Sequence, residues 1–108
     1  QDAYIRSAVE SAAADADHVI VVDDCSTDNS VSEIRSVQAQ NVTVVVRESR
    51  SGVSEAFNLG VRASNEDLVL FQGGDDLTLR HRSRAHRKAL EDSSVSLSIA
   101  TPCLIAAD

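Results

Sequence analysis

Apolar residues along the chain keep two different rhythms. Ile5, Ala8, Val9, Ala12 and Ala13 recur at helical spacing, which predicts a helix over Ala3–Ala14 with Asp2 as its cap. Val19–Val22 is an unbroken apolar run of strand length, the pattern of a strand covered on both faces. Ser26, Thr27 and Asp28 are capping residue types, and Val31, Ile34 and Val37 then return to helical spacing. Val42–Val46 is a second strand, and a loop through Arg47–Gly52 leads to a helix over Val53–Ala63. Gly60 weakens that helix, so a close neighbour is expected beside it. Leu68–Phe71 reads as a third strand, followed by Gly73 and Gly74, which permit a sharp turn or a close approach to a ligand. A basic helix over Thr78–Leu90 and a last strand over Val95–Ala100 complete the order.

Helices and strands alternate throughout, which implies parallel strands joined by right-handed crossovers. The expected fold class is α/β: a three-layer α/β/α domain with a mostly parallel sheet, spanning residues 1–108 as one unit. Domains of this kind usually open on a strand, whereas this sequence opens on a helix. The sheet is therefore expected to be incomplete, with an open edge through which chains could self-associate.

Composition narrows the picture. Aromatic residues make up only 3% of the chain, so Val, Ile, Leu and Ala must build the core. A net charge of −7 argues against binding nucleic acid through phosphate neutralisation. It leaves a nucleotide ligand open, because a metal ion can supply positive charge. Cys25 and Cys103 form no CxxC pair and no metal-ligand spacing, which favours a reducing compartment and a cytoplasmic location. No apolar run reaches the length of a membrane span.

The chemistry lies where strands end. Val19–Val22 runs directly into Asp23 and Asp24, and Leu68–Gly74 runs into Asp75 and Asp76. In a parallel sheet the carboxyl ends of strands share one edge, and ligands bind there. Either acid pair alone could be a cap or turn signal. Two such pairs, each after a strand, favour a polar ligand with a bound cation. Cys25 beside acids reads as a packing residue, and His18, His81 and His86 read as surface residues. Arg80–Arg87 reads as a solvated helix face, with a diphosphate or acceptor contact as the alternative.

Three blocks together resemble the nucleotide-sugar-dependent glycosyltransferases of family 2, which have the GT-A fold. They are VIVVDDCSTDNS, SGVSEAFNLGVRAS and LVLFQGGDD, and the resemblance covers almost the whole chain. It implies a UDP- or dTDP-type sugar donor, a saccharide or other hydroxyl acceptor, Mn²⁺ or Mg²⁺, and transfer with inversion. Asp24 matches the carboxylate that accepts a hydrogen bond from the base, with Asp23 as its partner in the turn. Asp75 matches the ribose contact that supports the metal, and Asp76 the metal ligand bridging to the diphosphate. Arg50 and Gly52 match the loop near the nucleotide, and Asn58 a helix position that organises the acidic loop.

The sequence departs from the family pattern in three ways. Gly73 stands where the commonest acidic motif has its first Asp. The family's opening strand has no counterpart before the first helix, and the family's general base lies in an acceptor-binding part that these residues do not match. The catalytic base is therefore unassigned, and this piece alone is expected not to transfer sugar. Ser98–Cys103 also resembles the missing opening strand, so a permuted or swapped strand stands beside linear order, which is preferred.

Two other classes share this architecture but lack their marks in this sequence. A nucleotidyltransferase would want a Gly-rich basic loop after its first strand, and none is present. A receiver-like switch would want a Lys beyond a later strand, and the only Lys, Lys88, falls on the basic helix. A degenerate, non-catalytic nucleotide-binding domain is the remaining alternative.

Overall fold

The computed structural model describes residues 2–100. Its elements are α1 (Asp2–Asp15), β1 (Val19–Asp23), α2 (Ser30–Arg35), β2 (Val42–Val46), α3 (Val53–Ala63) and α4 (Arg82–Ala89). β1 and β2 pair in parallel, in a register that sets Val19 beside Val42 and Asp23 beside Val46. The ladder is closed at one end by Val19 N–H donating to Asn41 O (2.8 Å) and at the other by Arg47 N–H donating to Asp23 O (2.9 Å).

Alternation along β1 decides which helix lies on which face. Val21, with Val42 and Val44 of β2, packs against Ile5, Val9 and Ile34, the buried cluster beneath α1 and α2. Val22 points the other way, where Gly60 of α3 would place a Cβ 3.6 Å from its Cγ2. α1 and α2 thus cover one face and α3 the other, giving the α/β/α layering expected of part of a GT-A domain. The side-chain amide of Asn41 donates to Ala13 O (3.0 Å) and Ala16 O (3.1 Å), satisfying carbonyls at the end of α1.

Three expectations are corrected. Leu68–Phe71 and Val95–Ala100 are not strands, and the sheet has two strands among the described residues. A strand exists through its ladder, and among the described residues neither segment pairs with a neighbour. The backbone of Leu68–Leu70 makes no hydrogen bond to other backbone among the described residues. The free edge of β1 faces a cleft of about 930 Å³, and the residues from Leu68 to Asp75 line it as well. Val95–Ala100 does not line that cleft, so the described part of the chain does not fill the gap that a swapped or permuted strand would occupy. The third correction is the basic helix, expected over Thr78–Leu90, which forms only as Arg82–Ala89. His81 precedes it with φ 70°, a left-handed conformation that a continuing helix cannot contain.

Among the described residues, no helix is long and apolar enough to cross a membrane.

Candidate functional site

The end of β1 is a tight acidic turn. Asp23 is buried and accepts hydrogen bonds from the Ser26 N–H (3.0 Å) and the Ser26 hydroxyl. This closes the turn on the carboxylate itself, as Asp side chains do in Asx-type turns. Cys25 occupies the turn with φ 64°, a conformation that glycine adopts without cost and other residues do not. Its Sγ donates weakly to Glu48 O at 3.5 Å.

Asp24 faces the loop before α3. Its carboxylate accepts from Gly52 N–H (2.8 Å), from Ser51 N–H (3.0 Å) and from the Ser51 hydroxyl (3.3 Å). Arg47 Nε lies 3.6 Å away. Desolvation pushes this carboxyl upward, but the Gly52 and Ser51 donors and the Arg47 charge outweigh it and hold it below its ordinary value. Gly52, at φ 94°, gives the backbone the left-handed bend that presents two successive N–H groups to one carboxylate. Asp28 is also held below its ordinary value, chiefly by the Ser30 hydroxyl and backbone N–H.

The second acid pair sits on a turn at Gly73–Asp76, closed by Asp76 N–H donating to Gly73 O at 3.3 Å. Both carboxylates fold back over Gly73. A Cβ there would fall 2.9 Å from Asp76 Oδ2 and 3.4 Å from Asp75 Oδ1. The absent first Asp of the commoner motif thus leaves room that the two remaining carboxylates share.

Gln72 braces this turn, and the sequence reading missed it. Its side-chain amide donates to Ala8 O (3.2 Å) and Asp76 O (3.0 Å), and its Oε1 accepts from the Thr78 hydroxyl. Further along, Thr78 N–H donates to Ser11 Oγ (3.0 Å) and Ser83 N–H to Asp15 Oδ2 (2.8 Å). Ala8, Ser11 and Asp15 are spaced as one stripe of α1, so the helix carries the acidic segment along its length. Polar residues at helical spacing were the only sequence signal for this contact.

Asp23, Asp24, Arg50 and Asp75 line the same cleft, while Gly52, Asn58 and Asp76 do not. Gly52 acts on the site through Asp24. Among the described residues, no three His, Cys, Asp or Glu side chains converge as a complete metal cage. Two carboxylates over a glycine still suit Mg²⁺, which takes one or two protein carboxylates and completes its shell with water and phosphate oxygens.

The family model described as glycosyl transferase family 2 matches residues 2–102. A Haemophilus influenzae protein described as an uncharacterized glycosyltransferase is 33% identical over 75 residues, which are 69% of this chain and 25% of that protein. The chain therefore spans about a quarter of that relative's length. No solved structure matches. With the family model matching nearly its whole length, the chain belongs to glycosyl transferase family 2.

Proposed function

We propose that this chain forms the donor-binding part of a glycosyltransferase that moves a sugar from a nucleoside diphosphate, of UDP or dTDP type, to an acceptor hydroxyl with inversion. The observation that carries this reading is that Asp23, Asp24, Arg50 and Asp75 all border the cleft that runs along β1.

Each residue has a role that follows from its surroundings. Asp23 is occupied by Ser26 and holds the turn. Asp24 fixes the Ser51–Gly52 backbone, and that anchor sets the loop from which Arg50 borders the cleft. A carboxylate has about four lone-pair sites, and Ser51 and Gly52 already make four bonds to Asp24, so a base N–H would share this carboxylate with its loop donors. Arg50 offers a planar guanidinium suited to phosphate oxygens. Asp75 and Asp76 would hold Mn²⁺ or Mg²⁺, which when bound offsets charge on a departing diphosphate. Gln72 keeps the two carboxylates on their turn.

Calorimetric titration with UDP, with and without Mn²⁺, tests this. Asp24→Ala is expected to weaken binding in both conditions. Asp76→Ala is expected to remove only the part that depends on metal. UDP affinity untouched by either substitution would refute the site.

A further inference from the structure

Asp24 borders the cleft, whereas the two residues that grip it, Ser51 and Gly52, do not. Any influence of Ser51 on a bound ligand therefore passes through this carboxylate. Its two oxygens are held differently. Oδ2 accepts from Gly52 N–H at 2.8 Å and shares the Ser51 N–H at 3.1 Å. Oδ1 accepts from Ser51 N–H at 3.0 Å and from the Ser51 hydroxyl at 3.3 Å, with Arg47 Nε 3.6 Å away. The hydroxyl bond is the longest that the loop makes, and it exceeds the usual range for an O–H···O bond.

The donors also differ in what releases them. The N–H groups of Ser51 and Gly52 are backbone, and that backbone is fixed: Gly52 holds φ 94°, and its carbonyl accepts from Ala56 N–H at 3.1 Å in the first turn of α3. Releasing either N–H would shift the start of α3. The Ser51 hydroxyl turns on one side-chain bond, and Ser51 is exposed, so rotation about χ1 exchanges the carboxylate for water. The Asp24 side chain keeps 21% of its surface exposed, which leaves it reachable.

We infer that Ser51 is a positioning residue for the donor: its hydroxyl takes one site on Asp24 until an N–H of the ligand's base displaces it. The inference rests on the reading of Asp24 as the acceptor of that base. The two backbone N–H groups keep the carboxylate aimed throughout, and the hydroxyl is a placeholder. The lone-pair sites of the carboxylate are then filled both before and after the base arrives. Removing the placeholder leaves only mobile water to displace, so it strengthens binding. Loss of a merely structural contact would weaken it.

Calorimetric titration with UDP tests this. Ser51→Ala is expected to tighten binding about threefold, the equivalent of one weak hydrogen bond. Ser51→Thr keeps the hydroxyl and is expected to bind as the native chain does. Ser54→Ala, which removes an exposed hydroxyl from α3, serves as a control expected to leave affinity unchanged. Amide exchange followed by NMR is expected to show Ser51 and Gly52 protected in Ser51→Ala, with and without UDP. Where the native chain binds UDP and Asp24→Ala weakens that binding, a weaker or unchanged affinity in Ser51→Ala overturns this inference alone. Loss of Gly52 protection on adding UDP overturns it as well, because the backbone would then be what yields. Absence of UDP binding, or binding that ignores Asp24→Ala, overturns the donor reading and this inference with it.

Discussion

Gly60→Ala tests the packing that holds α3 against the sheet. Gly60 lies in the interior of α3, where glycine costs about 1 kcal/mol relative to alanine. Whether that cost is recoverable depends on the space beside it. A Cβ at this position meets only Val22 Cγ2, at 3.6 Å, an ordinary van der Waals separation. The added methyl therefore displaces nothing and gains a few tenths of a kcal/mol of dispersion contact. The expected result is stabilisation by about 1 kcal/mol, or roughly 4–8 °C in Tm for a domain of this size. Urea unfolding followed by far-UV circular dichroism measures it, with an unchanged m-value as the sign that only stability has moved. Gly60→Leu should reverse the sign, because a branched side chain must push α3 off β1, at a cost of about 1–3 kcal/mol. A fall in the urea midpoint for Gly60→Ala would refute the reasoning and mean that α3 sits closer to β1 than a 3.6 Å contact allows.

Two further predictions concern the acidic turn. Cys25 holds φ 64°, so Cys25→Gly should unfold at higher urea than Cys25→Val by about 2 kcal/mol, and the two having equal midpoints would show that the turn is not left-handed. The Asp24 carboxyl sits below its ordinary value in the folded chain, so its contribution is present above the ordinary carboxylate range and is lost as pH falls through the lowered value. The urea midpoint of Asp24→Asn should accordingly lie below that of the native chain at neutral pH and converge with it as pH drops below about 4; a gap that stays constant over that range would count against the Ser51–Gly52 anchor.

Local pattern made α1, β1, β2 and α3 legible. Ile5, Ala8 and Val9 share a helical face, Val19–Val22 is an unbroken run, and each element needs only its own residues to declare its type. Leu68–Phe71 shows the limit of that reasoning. Its composition suits a strand, yet strand structure is a property of a pair, and across the cleft no ladder reaches it. Leu68, Val69, Leu70 and Phe71 stay 38–50% exposed as a result. The same divide runs through the site. Ser26 closing on Asp23 is a three-residue event that a turn signal announces. The Asp24 bonds to Ser51 and Gly52 join residues 27 and 28 positions apart, and nothing in either segment names the other. Gln72 was hidden for the same reason, since its partner Ala8 contributes only a carbonyl, which every residue has.

The way α1 carries the acidic segment has a consequence for the order in which the molecule opens. The ties from Ala8, Ser11 and Asp15 to Gln72, Thr78 and Ser83 close loops of 64, 67 and 68 residues. The first two are single hydrogen bonds and the third is a pair, each bond with a net worth of about 0.5–1.5 kcal/mol. They are not reinforced by a ladder, and the buried cluster of Ile5, Val9 and Ile34 does not depend on them. The segment can therefore swing away and return while the β1–β2 pair and its helices stay intact, a sub-global opening well below the cost of complete unfolding. The carboxylates of Asp75 and Asp76 then sit on a hinged bracket, whereas Asp23 and Asp24 sit on the frame. A ligand that spans both acid pairs would latch the bracket, and the gain in amide protection would appear along Gln72–Ser83 before it appeared anywhere in β1.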